Sequence, residues 1–136
     1  MLPKILAVVV VGLSLSIPTI ADDLDLDAVR SMIENGQTAS ALELLDQEIA
    51  SSTADPAALR FLRARALVTM GNLEEAEHVY RELITRYPAR PEPYNNLARL
   101  YSAQGKLDQA ASLLRAGLYT DPSYRALFDN LTLIYA

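Results

Sequence analysis

The chain has 136 residues, 51% of them hydrophobic, with 12 Lys and Arg against 17 Asp and Glu for a net charge of −5. That length suits one small domain. It contains no cysteine and a single histidine, His78, which excludes disulfides, thiol catalysis and multi-histidine metal sites. The acidic balance argues against binding a phosphate backbone, so no nucleic-acid partner is expected.

The N-terminus differs from the rest. A cationic start, Met1 to Lys4, precedes an uncharged and mostly apolar run, 5–17, which Pro18 ends. Small residues at Thr19 and Ala21 then precede an acidic stretch. This pattern predicts a signal peptide over 1–21, cleaved after Ala21. The run is shorter than the roughly 20 apolar residues a membrane span needs, so no anchor is expected after cleavage. A periplasmic or secreted protein follows, with a bacterial periplasm fitting best.

Beyond Ala21, alanine- and leucine-rich segments alternate with short breaks, and no strand-like alternation appears. The spacing predicts helices over 24–35, 38–51, 56–70, 73–87, 91–104, 107–120 and 124–135. Gly36, Gly71 and Gly105 stand where a helix ends in a left-handed residue. Pro56 and Pro91 suit a first helical turn, and Asp55 and Asp121 are candidate caps. Pro88 and Pro122 forbid continuation of the helices before them.

A 34-residue period runs through this pattern. Gly71, Ala76, Tyr80 and Pro88 recur as Gly105, Ala110, Leu114 and Pro122, while Ala64 and Leu67 recur as Ala98 and Tyr101, and the latter again as Tyr135. A fixed period of this length marks stacked copies of one supersecondary unit. On these residues the chain resembles the tetratricopeptide repeat (TPR) family. The resemblance implies an all-α, right-handed superhelical stack of antiparallel helix pairs, about three and a half repeats near 22–56, 57–90, 91–124 and 125–136. Arg60 and Arg63 depart from the family pattern, which favours apolar residues there. Either their stems lie over the first repeat with guanidinium groups reaching Asp46 or Glu43, or that junction is loose.

The resemblance also implies a concave groove lined by the first helices of successive repeats, where a partner peptide or helix lies. Carried onto this sequence, the groove positions are Arg30, Phe61, Arg65, Val68, Thr69, Asn95, Asn96, Arg99, Ser102, Asp129, Asn130 and Leu133. Arg30, Arg65 and Arg99 are equivalent, one per repeat. Arginine forks take carboxylates in a bidentate way, so an acidic or C-terminal peptide is the expected partner. The competing reading pairs these arginines internally with Asp129, Glu34 and neighbouring carboxylates. Certain family members clamp a chaperone's C-terminal carboxylate; Asn96 could fill one clamp position, but Leu26, Leu62 and Glu92 occupy others, which argues against that ligand.

Other motifs carry less. Asp23, Asp25, Asp27 and Glu34 imitate a calcium loop, yet Ala28 stands where its glycine belongs, and acidic residues at a helix start are favoured by the dipole alone. His78 lies among Glu74, Glu75 and Glu77 on a solvated face, and the Asn130 sequon falls inside a helix. No Gly-rich phosphate loop or nucleophile–base spacing is present, so no catalytic residue, metal or cofactor is expected. In the last half-repeat, Phe128, Leu131 and Tyr135 are expected to pack back on the previous repeat. Leu127, Leu133 and Ile134 are then left as an apolar strip, for self-association, for a docking partner, or because the chain is shorter than its full-length relatives. The sequence therefore describes an exported protein-interaction module, an adaptor or assembly factor of the bacterial envelope. The alternative is a structural component that self-associates through its last half-repeat.

Overall fold

The computed structural model describes residues 24–52 and 56–136, and among these all regular structure is helical. The leader and cleavage site at 1–21, Asp23 of the calcium-like run and the Asp55 cap lie outside the described residues. In chain order the helices are α1 (Leu26–Glu34), α2 (Thr38–Ser51), α3 (Ala57–Thr69), α4 (Leu73–Arg86), α5 (Pro91–Ala103), α6 (Leu107–Thr120) and α7 (Arg125–Tyr135). Each bound lies within two residues of its sequence-based expectation.

The breaks follow the expected chemistry, with one exception. Gly36, Gly71 and Gly105 have φ of 85°, 82° and 74°, the left-handed conformation that spares glycine a Cβ clash. The residue after each closes the turn: Gln37, Asn72 and Lys106 donate backbone N–H groups to the carbonyls of Met32, Leu67 and Tyr101 at 2.8–2.9 Å, the six-to-one bond of a Schellman end. Asp25 caps α1, accepting from the Asp27 and Ala28 amides at 2.9 and 3.2 Å. Asp121 does not cap α7. It ends α6 instead, and its carboxylate accepts from the backbone and hydroxyl of Ser123 at 3.0 and 2.6 Å.

Each pair of helices packs on the next, and α7 leans on both α5 and α6. Small residues make the close approaches: Ala64, Ala76, Ala98 and Ala110 are at most 1% exposed, and Tyr80 and Leu114 fill the space beside them. A smaller cluster centred on Val29, Ala41, Leu45 and Leu62 joins α1 and α2 to α3. At the junction expected to be loose or arginine-stitched, the stitch is present. Arg63 on α3 donates to Asp46 of α2 and Glu75 of α4, both at 2.6 Å. Burial opposes its charge, but the bonds to Asp46 and Glu75 outweigh that and hold its pKa above the ordinary arginine value.

The last helix corrects two expectations. Leu127, assigned to the exposed strip, is 0% exposed. Its methyl groups lie over Gly117, where an added Cβ would sit 2.8 and 2.9 Å from them; the missing side chain of that glycine makes the socket. Phe128 and Tyr135, expected to pack back, are 61% and 65% exposed. The helix is rotated so that Leu127 faces α6 while those two rings are left largely to solvent, with the Tyr135 hydroxyl meeting Arg115 of α6.

Candidate functional site

The groove is assembled from one face of α3, α5 and α7, with side chains of α4 and α6 as its floor. Two hollows meet at Arg99. One, of about 380 Å³, is lined by Arg65, Val68, Thr69, Leu73, Tyr80, Asn96 and Arg99. The other, of about 350 Å³, is lined by Arg99, Ser102, Leu107, Leu114, Asn130, Leu133 and Ile134. Among the described residues neither lining contains a carboxylate, and the charged groups in the two linings are the guanidinium groups of Arg65 and Arg99.

Tyr80 forms the floor between them. Its ring is 1% exposed and meets Phe61 edge-on at 6.0 Å between centroids. Burial pushes its hydroxyl pKa up to about 12, against the pull of Arg65, the Asn96 side chain and Arg99. The phenol therefore stays neutral at physiological pH. Sequence reasoning placed Tyr80 in the packing and missed it as part of the site. The available signal was its equivalence to Leu114 one repeat later: a hydroxyl was added at a position that packing alone fills with leucine.

The three equivalent arginines differ in state. Arg30 is bound by Asp27 on its own helix at 2.6 Å. Arg65 lies 4.0 Å from Glu34, at the limit of an ion pair, with both side chains partly solvated. Arg99 forms no salt bridge among the described residues. Asp129, a candidate internal partner, pairs with Arg125 at 3.4 Å instead.

Several expected groove residues are placed elsewhere. Arg30 and Phe61 open onto a separate hollow of about 250 Å³ with Leu26, Arg90, Glu92 and Pro93. Asn95 is buried and accepts a 2.7 Å bond from Asn130, tying α5 to α7; burial of one amide requires that partner. Thr69 stays in the groove lining, with its hydroxyl donated to the Arg65 carbonyl at 3.1 Å. Leu133, expected both in the groove and in the C-terminal strip, lines the groove beside Arg99 together with Ile134, expected only in the strip. His78 is exposed, with Glu82 3.6 Å away on the next turn. Among the described residues no group of His, Asp and Glu is arranged to hold a metal, and no helix is long and apolar enough to cross a membrane.

An all-helical stack of paired helices on a 34-residue period is a repeat architecture. Two family models described as tetratricopeptide repeat match residues 26–91 and 67–132. The chain carries tetratricopeptide repeats. No curated protein sequence matches it. Among solved structures it is similar to the second TPR domain of human RPAP3, in complex with the HSP70 peptide SGPTIEEVD. That match has 23% identity and a TM-score of 0.67, and covers 81% of this chain and 91% of the other. The first TPR of Spaghetti (RPAP3) bound to the HSP90 peptide SRMEEVD is similar at 18% identity and TM-score 0.67, covering 80% and 86%. The Sgt2 TPR domain from Aspergillus fumigatus follows at 15% identity and TM-score 0.70, covering 86% and 81%. At these identities the likeness speaks for the fold alone.

Proposed function

We propose that this protein is a non-catalytic adaptor or assembly factor of the bacterial cell envelope that holds an acidic peptide of its partner in the α3–α5–α7 groove. The observation that carries the reading is Arg99, which stands between two hollows with no salt bridge among the described residues and no carboxylate in either lining. A guanidinium kept without a counter-charge over a partly apolar cleft favours a carboxylate from outside. Arg65 assists from one side, since a ligand carboxylate competes with a contact to Glu34 that is long and solvated. Asn96 and Ser102 supply neutral polar contacts, and Leu107, Leu133 and Ile134 supply apolar ones.

The peptides named with the two RPAP3 structures are themselves acidic. This supports the chemistry but not the same ligand, because Leu26, Leu62 and Glu92 replace residues of that family clamp. The envelope assignment rests on the leader pattern of the first 21 residues.

The test is crosslinked recovery of partners by the mature protein from its own envelope fraction, with Arg65→Ala/Arg99→Ala alongside. Loss of a charge-assisted carboxylate contact of about 1.5–3 kcal/mol lowers recovery roughly tenfold or more. Recovery unchanged by the double substitution overturns the groove reading.

A further inference from the structure

The repeat places α5 and α7 in equivalent positions, 34 residues apart, and they differ in what covers them. On α5, Tyr94 and Tyr101 are 7% and 3% exposed. The helix packed on them is α6, through Ala110, Leu114 and Gly117, three residues that are themselves buried. The equivalents of those tyrosines on α7 are Phe128 and Tyr135, 61% and 65% exposed. They border a hollow of about 350 Å³ with Leu131 and Thr132. The same surface that accepts a helix on α5 is therefore exposed on α7.

A second difference concerns charge. The Tyr101 hydroxyl donates to Glu77 at 2.7 Å and accepts from Arg81, both on the preceding helix α4. One repeat later, Tyr135 accepts from Arg115 on α6. The position of Glu77, however, is occupied by Ala111. The phenol and its arginine are repeated while their carboxylate is not, and Arg115 forms no salt bridge among the described residues. Inside the stack, the N-terminal end of the covering helix lies at this spot, since Lys106, just before α6, sits 5.3 Å over the Tyr101 ring. A helix docked on α7 in the same way brings its first turn to Tyr135 and Arg115.

We propose that the Phe128–Leu131–Tyr135 face of α7, with Arg115 beside it, is a second docking surface, for an amphipathic helix of a partner protein. That helix carries an Asp or Glu at its N-cap, the place of Lys106 inside the stack, supplying the carboxylate that Ala111 lacks. Its contact face carries small and apolar residues at the i, i+4, i+7 spacing of Ala110, Leu114 and Gly117. The surface lies apart from the Arg99 groove and stands or falls independently of it.

The probe is an acetylated synthetic peptide copying residues 106–120 with Lys106→Asp, the position that sits over the Tyr101 ring inside the stack, compared with the same peptide carrying Lys106→Asn. Each is titrated into the isotope-labelled intact protein and followed by amide and arginine side-chain resonances. The expected result is shifts confined to Phe128, Leu131, Thr132, Tyr135 and Arg115, with the Asn peptide about tenfold weaker. Arg115→Gln should erase the difference between the peptides, and Phe128→Ser should weaken both; both side chains are exposed, so neither change threatens the fold. Equal binding of the two peptides, or shifts elsewhere or none, overturns the proposal. So does a concentration-dependent dimer in sedimentation that Phe128→Ser abolishes, because the occupant is then a second copy.

Discussion

Replacing Leu127 by Ala tests the rotation of α7 and everything built on it. The side chain is wholly buried, and its methyls fill the socket over Gly117. Truncating a leucine so placed costs about 3 kcal/mol, with the upper range reached where the site cannot collapse. Here Gly117 offers no side chain to move into the gap. Stability in a repeat array is close to a sum of local and neighbour terms, so the loss appears first as opening of α7 and then as a lower global midpoint. Leu133, six residues on, is 72% exposed, and Leu133→Ala should change stability by less than about 0.5 kcal/mol. Urea unfolding with amide exchange of α7 as the local probe separates the two. Equal effects from both substitutions, or no faster exchange in α7 for Leu127→Ala, refute the packing and return Leu127 to the surface.

Three further outcomes follow from the same geometry. Gly117→Ala places a Cβ 2.8 and 2.9 Å from the Leu127 methyls and 3.0 Å from Tyr94 Cβ; overpacking of about 1–3 kcal/mol outweighs a helix-propensity gain of about 1 kcal/mol, and thermal unfolding should show a net loss. Tyr80 has its folded pKa raised to about 12 from 10.0, so the neutral phenol contributes stability that is complete below pH 10 and disappears as pH rises through 12. That contribution is about 3 kcal/mol, and Tyr80→Phe should flatten this part of the alkaline stability profile. Arg63→Ala removes the stitch between α2 and α4, but both carboxylates are half-exposed. Its ion-pair share is therefore roughly 1 kcal/mol and salt-sensitive, measurable in a double-mutant cycle with Asp46→Asn.

Helix number, limits and pairing were legible in the sequence because their determinants are local. Left-handed glycines, prolines and a 34-residue spacing of small and large residues act through backbone geometry that needs no knowledge of neighbours. The state of each groove residue was not. Arg30, Arg65 and Arg99 hold equivalent positions, yet Asp27 happens to lie one turn from Arg30, and Arg99 forms no salt bridge among the described residues. Asn95 and Asn96 are adjacent in sequence, and a rotation of 100° buries the first and leaves the second in the groove. The α7 strip was misassigned for a related reason. Leu127 is apolar on any reading, and its seat is a contact with Gly117, ten residues earlier on another helix, which the α7 sequence by itself does not reveal.

The central claim is that Arg99 receives a carboxylate from a partner peptide. Its most direct measurement is the Arg99 side-chain Nε–H resonance of the intact protein during titration with short acidic peptides, free or amidated at the C-terminus. The account predicts a saturable shift of that resonance together with Asn96 and Ser102, weakened by added salt and lost in Arg99→Ala. A shift confined to exposed arginines outside the groove, with Arg99 unmoved at saturation, contradicts it.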